Sequence, residues 1–243
     1  MRFPRCAWAK GKRTAMTTAI VLAAGRGKRM GTDLPKQFLE IGGVPMIAAT
    51  LRVFEESSVI DEILLVTSPD YVSYCENEIV AKYGFSKVRG VITGGKERYD
   101  SVWQALLACE GSDYVFIHDG ARPFVTGEIL LRTDAAVRKY KAAAVAVPSK
   151  DTVKIADENG FVQDTPSRSR VFIMQTPQAF EYDLIRKANE ILFRDGGMQD
   201  VTDDAMIVER SGLARVKLVE GSYSNIKITT PEDLKGLGIK ACN

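Results

Sequence analysis

The sequence predicts an α/β protein with a doubly wound, mostly parallel, Rossmann-like sheet and a protruding β-arm. Near-continuous apolar runs of strand length recur near 18–24, 62–67, 88–92, 113–118 and 142–147, the pattern of strands buried on both faces. Amphipathic stretches of helical length fall near 44–56, 70–83, 97–110, 126–140, 181–193 and 203–211. Strands alternating with helices imply a parallel sheet covered on both sides. One polar segment, 150–170, breaks that rhythm.

Taken in order, the first strand runs through "AIVLAAG" and stops at a loop of small and basic residues, Gly25 to Gly31. Ser68-Pro69 places a hydroxyl before proline at the start of the second helix, where the missing proline N–H is no loss. Thr230-Pro231 repeats the signal near the end, with Asp233 at capping-box spacing from Thr230. In "KDTVKIADENGFVQDTPSRSR" two short alternating runs flank Asn159-Gly160, a strong hairpin turn. Nothing there is apolar enough for a core, so it reads as an arm, either solvated or packed on another subunit. Residues 17–240 read as a single domain that includes this arm.

The chain has 243 residues, 45% of them hydrophobic, ample for a packed core. No apolar run has the length of a membrane span. Residues 1–16 hold Arg2, Arg5, Lys10, Lys12 and Arg13 and no acid, leaving 28 basic against 31 acidic residues in the remainder. A mildly acidic body argues against a general nucleic-acid binder. The basic leader lacks the apolar segment of a secretory signal. It is expected to be disordered, with an organelle-targeting or anion-binding arm as the alternative. The scattered Cys6, Cys75, Cys109 and Cys242 show no paired spacing; they read as reduced thiols of a cytoplasmic protein. A single histidine excludes a His-rich metal site.

Ligands of doubly wound sheets sit at the carboxyl ends of the strands, and four loops there carry chemistry. The opening loop, "AAGRGKRMG", puts Met30 where a dinucleotide fingerprint has its third glycine, and lacks the lysine-hydroxyl ending of a Walker loop. What remains is a set of backbone amides and cations, followed by Pro35-Lys36, able to wrap a triphosphate. "TGGKERYDS" brings Gly95, Arg98 and Ser101 toward a base or ribose. "VFIHDGARPF" delivers His118, Asp119 and Arg122. His118 reads as a structural hydrogen-bonder and Asp119 as a carboxylate able to hold Mg²⁺ on nucleotide phosphates. In "YSNIKITTPEDL", Lys227 sits inside an alternating apolar strand, where a lysine must snorkel or meet an anion. Cation-bearing loops, one candidate metal carboxylate and no nucleophile elbow suit phosphoryl or nucleotidyl transfer, which needs positioning and charge stabilisation.

Six motifs in order, "LAAGRGKRMGTDLPKQF", "GGKERYDSV", "HDGARPF", "QTPQAF", "VTDDA" and "NIKITTPEDL", cover about residues 17–237. They resemble the 2-C-methyl-D-erythritol 4-phosphate cytidylyltransferases. The resemblance implies a homodimer joined by swapped arms, and CMP transfer from CTP to the phosphorylated polyol with Mg²⁺ or another divalent cation. By motif position it assigns Ala23, Ala24, Gly25, Gly27, Lys28, Gly95, Arg98, Ser101 and Asp119 to the nucleotide, with Asp119 also on the metal. Arg29, Lys36 and Lys227 become the catalytic cations. Arg122, Thr152, Arg168, Thr176, Thr202 and Asp203 become the polyol-phosphate site, with Arg168 reaching across the dimer. Lys96, Gly120 and Ser224-Asn225 depart from common residues of the family or its superfamily. Ribitol-5-phosphate cytidylyltransferases share the fold and several motifs. Other readings are a nucleotide-binding regulator and, more distantly, a dehydrogenase.

Overall fold

The computed structural model describes residues 15–25, 35–230 and 232–233. Gly27, Lys28 and Arg29 lie outside this range, as do Pro231 and almost all of the leader.

The strands are β1 (Thr17–Ala23), the short pair β2 (Glu40–Ile41) and β3 (Val44–Pro45), β4 (Glu62–Thr67), β5 (Val88–Thr93), β6 (Tyr114–Asp119), β7 (Ala142–Pro148), the arm pair β8 (Ile155–Ala156) and β9 (Val162–Asp164), β10 (Phe172–Glu181) and β11 (Lys217–Glu220). The helices are α1 (Met46–Glu55), α2 (Val72–Tyr74), α3 (Arg98–Ala108), α4 (Gly127–Tyr140), α5 (Tyr182–Arg194) and α6 (Asp204–Ser211). Seven strands form the main sheet in the order β11-β7-β10-β6-β1-β4-β5. All neighbours pair parallel except β10, which runs antiparallel to both β6 and β7.

β1 shows why the sheet needs cover on both faces. Ala19, Val21 and Ala23 pack with Ile47, Leu51 and Phe54 of α1, whereas Ile20 packs with Val102, Ala105 and Leu106 of α3. Alternate side chains of one strand thus enter two separate cores. Each fully buried Val, Leu, Ile or Phe side chain among them contributes about 1.5–3 kcal/mol. The frame is therefore held largely by apolar burial.

The expected strands and most helices are present, with four differences. β10 was not anticipated: Pro177 sits in mid-strand, which argues against a central strand on sequence grounds. The chain accommodates it with a register shift between Met174 and Gln178 and a cis Thr176–Pro177 bond. β11 is a four-residue edge strand too short to announce itself. The stretch read as one helix at 70–83 is a 3-10 turn (Pro69–Tyr71), α2 and a π-helical run (Cys75–Ala81). Lys227 lies in an irregular segment, not a strand. The backbone N–H of its neighbour Ile228 donates to the Ala121 carbonyl (2.9 Å), one link between that segment and the loop after β6.

The arm is a hairpin with its own two-stranded sheet. Asp157 Oδ1 accepts from the Asn159 and Phe161 N–H groups (3.0 and 2.9 Å), and Gly160 adopts φ +85°, which L side chains rarely tolerate. Its apolar residues Ile155, Phe161 and Val162 are exposed.

Candidate active site

Connections run from β1 to β4 and β5 on one side, and then cross to β6 on the other. The carboxyl ends of β1 and β6 therefore flank the topological switch point, where open α/β sheets leave a crevice. A cavity of about 240 Å³ opens there. Its walls come from the end of β1 (Ala23, Ala24, Gly25), the turn bearing Lys36, the start of α3 (Gly95, Arg98, Ser101), Asp119 and Lys227.

Each wall is anchored by specific contacts. Ser101 Oγ accepts from the Gly95 N–H (3.0 Å) and donates to the Glu97 carbonyl (3.2 Å), folding the loop back on α3. Glu97 and Asp100 form a reciprocal capping box, so the first turn of α3 is well defined beside the cavity. Gln37 Nε2 donates to the Ala23 carbonyl, and buried Phe38 packs on Tyr71 and Tyr74. These two residues fix the turn that carries Lys36. Lys36 Nζ donates to the Ile228 carbonyl (2.8 Å), tying that turn to the segment bearing Lys227. Gly120 is a point of close approach. A Cβ there would stand 2.7 Å from Ile47 Cδ1 and 2.9 Å from the Leu22 carbonyl oxygen.

Asp119 is the electrostatic centre. Lys227 Nζ lies 2.9 Å from Oδ2, Arg98 Nε 3.5 Å from Oδ1, and Arg122 Nε 3.8 Å from Oδ2. Burial alone would raise its carboxyl, but Arg98, Lys227 and Arg122 outweigh that and hold it well below the usual carboxylate range. Arg98 also donates from Nη2 to the fully buried Asp204 Oδ2 (2.7 Å). Burial disfavours the Arg98 charge, yet the two carboxylates hold it above its ordinary value. Three cations thus surround Asp119, and one of them also holds Asp204, an arrangement suited to an anionic ligand.

The other anticipated residues are placed differently. Arg122 is partly buried beside the cavity, its Nη1 donating to the Asn225 carbonyl (2.8 Å). Thr176 Oγ1 accepts from the Asp119 N–H (3.1 Å) and contacts His118 Nδ1 (3.0 Å). Asp203 caps α6 by accepting from the Met206 N–H (2.9 Å), and its other oxygen accepts from Gln178 Nε2 (2.8 Å). Thr202 precedes it and is exposed. Thr152 and Arg168 meet one another in the exposed arm region, Arg168 Nη2 lying 3.3 Å from Thr152 Oγ1. His118 is wholly buried, and burial pushes its imidazole down to about 4, so it is neutral at physiological pH. Sequence reasoning missed Asp204 and Gln37. The only local trace of Asp204 was the doubled acid of "VTDDA".

With this geometry in view, comparison with known proteins is decisive. The profile of the IspD family, 2-C-methyl-D-erythritol 4-phosphate cytidylyltransferase, matches residues 17–237. The chain belongs to this family. It is 46% identical over 224 residues to the enzyme of that name from Lachnospira eligens, covering 92% of this chain and 98% of the relative. A Geobacter metallireducens relative of the same name is 49% identical over 220 residues, covering 89% and 93%. Among solved structures, the 4-diphosphocytidyl-2C-methyl-D-erythritol synthase of Anaerococcus prevotii superposes with a TM-score of 0.82 at 39% identity, covering 91% of this chain and 94% of the other. The family is thus the one the six motifs resembled, and its members share this mixed α/β sheet.

Proposed function

We propose that this chain transfers the cytidylyl group of CTP to 2-C-methyl-D-erythritol 4-phosphate, giving 4-diphosphocytidyl-2-C-methyl-D-erythritol and pyrophosphate. The observation that carries this reading is the cluster of Arg98, Arg122 and Lys227 about Asp119 at the switch point, in a chain of this family. A phosphate oxygen of the acceptor attacks the α-phosphorus of CTP, and the bond from that phosphorus to the bridging oxygen breaks. Negative charge grows on the departing pyrophosphate.

Ala23, Ala24, Gly25, Gly95, Arg98 and Ser101 hold the nucleotide, with Gly27 and Lys28 beside its phosphates. Lys36, Lys227 and Arg29 stabilise the developing charge, helping most where the transition state carries more of it than the ground state. Arg122, Thr176, Thr202 and Asp203 serve the acceptor, joined by Thr152 and Arg168 of the arm. Residues 17–240 act as one nucleotidyltransferase domain.

Among the described residues no three potential ligands of the His, Cys, Asp and Glu type converge. Asp119, whose carboxylate lines the cavity, would be the protein ligand of a divalent cation carried in on the triphosphate. Bound there, Mg²⁺ or another divalent cation would neutralise phosphate charge. No described helix is long and apolar enough to cross a membrane. The proposed enzyme acts in the cytoplasm on small anions and not on nucleic acid.

The exposed Ile155, Phe161 and Val162 suit an arm that packs on a second copy. Light scattering of the full chain at micromolar concentration is expected to give a dimer, and Phe161→Asp to shift it toward monomer. A monomeric parent would remove the arm from the site.

The reaction is tested by pyrophosphate release with CTP and Mg²⁺. Release is expected with methylerythritol 4-phosphate and not with ribitol 5-phosphate or without acceptor. Preference for ribitol phosphate would keep the chemistry and replace the acceptor. Silence from a folded protein that binds CTP would leave a regulator.

A further inference from the structure

Building on this reading of the site, we propose that His118 is a positioning residue. Its neutral imidazole, protonated at Nε2, relays a hydrogen bond from Thr176 to the Arg122 carbonyl and so sets the turn that presents Asp119 and Arg122.

The direction of the relay follows from what each atom can give. The Asp119 N–H can only donate, so Thr176 Oγ1 accepts it at 3.1 Å and keeps its single hydrogen for another partner. That partner is His118 Nδ1 at 3.0 Å. On the far side of the ring, Nε2 lies 3.2 Å from the Arg122 carbonyl oxygen, which can only accept. Nε2 must therefore carry a proton, and in the neutral ring Nδ1 then holds the lone pair that receives the threonine hydrogen. The ring has no freedom to turn, because it is fully buried with its centroid 5.0 Å from that of Phe54.

The relay closes a short turn at both ends. The Arg122 N–H donates to the Asp119 carbonyl (3.0 Å), while the Arg122 carbonyl takes the imidazole N–H. Thr176 itself is tied down, since Asn225 Nδ2 donates to its carbonyl (2.9 Å) and Arg122 Nη1 donates to the Asn225 carbonyl (2.8 Å). One imidazole therefore joins β6, β10 and the loop after β11 into a ring of contacts around Arg122. Removing it leaves the cations and Asp119 present but free to drift, and misplacement by about 1 Å can lower a rate by about a hundredfold.

The chain contains a single histidine, so long-range ¹H–¹⁵N spectra of the full protein report this ring alone. The expected pattern at neutral pH is the neutral ring with its proton on Nε2. The opposite tautomer, or a charged ring, would overturn the relay whatever the activity. Kinetics supply the second arm. His118→Phe is expected to lower kcat about tenfold to a hundredfold, with KM for CTP within about twofold. His118→Gln, whose amide can accept from Thr176 and donate to Arg122, is expected to recover most of that loss. Equal activity of the two variants would overturn the positioning role, and if His118→Phe does not fold, Thr176→Val tests the same bond from the other end through the Nδ1 resonance of the ring, whose unchanged shift would overturn the relay. A parent that releases no pyrophosphate would instead refute the proposed reaction while leaving the tautomer measurement intact.

Discussion

Lys227→Ala lowers turnover by about two orders of magnitude, corresponding to ~3 kcal/mol of lost transition-state stabilisation, while thermal unfolding moves little. The two halves of this expectation have separate causes. The Lys227 ammonium sits 2.9 Å from Asp119 Oδ2 but its side chain is 40% exposed. An ion pair so open to water contributes at most about 1 kcal/mol to folding. Asp119 also keeps Arg98 and Arg122, so no carboxylate is left unpaired. On the growing charge of pyrophosphate, by contrast, a fixed cation acts inside a crevice where water has been displaced. Lys36→Ala is expected to fall as far, because Lys36 lines the same cavity and its Nζ donates to the Ile228 carbonyl beside Lys227. Single-turnover rates with saturating CTP, measured beside a melting curve, separate the two effects. Near-normal rates in a folded variant would remove that lysine from the catalytic set.

The loops after β1 and β6 were legible because each follows a strongly apolar strand. Ala19 to Ala23 and Val115 to Ile117 announce β1 and β6, and the residues just beyond them are where a doubly wound sheet must bind its ligand. Less visible was whatever depends on partners far along the chain. Pro177 hid β10, since a local reading cannot see the bulge that accommodates it. Lys227 was placed in a strand because Ile226 and Ile228 alternate about it, yet Ile228 bonds to the Ala121 carbonyl and the segment stays irregular. The two acids of "VTDDA" look alike in sequence. Only the fold separates Asp203, which caps α6, from Asp204, which meets Arg98 across 106 positions.

That second acid yields the largest expected effect on stability. Asp204→Ala is expected to destabilise the protein by about 3 kcal/mol, the lower end of what losing one partner of a buried pair entails. The lower end applies because the Arg98 side chain is 29% exposed and keeps Asp119 at 3.5 Å. For a chain of this size the melting temperature should fall by roughly 6–12 °C. Freed from its 2.7 Å anchor, Arg98 should also hold the nucleotide less well, and KM for CTP should rise severalfold. Asp204→Asn is expected to lose less than half as much, since an amide oxygen still accepts from Arg98 and no charge is buried. The contrast has a pH signature. Burial raises the Asp204 carboxyl above its ordinary value, and Arg98 offsets this only in part. A group raised on folding contributes stability that is present in full below its unfolded value and is lost as pH rises through the folded one. The parent's advantage over Asp204→Asn should therefore be greatest in acid and shrink toward neutrality. Asp119, lowered on folding, changes in the opposite sense in both proteins. Urea titrations of the pair from about pH 4 to 8 read this slope directly. A gap that widens toward neutrality would mean that Asp204 is held in its charged form by Arg98, and that the pair, not burial, dominates this end of the site.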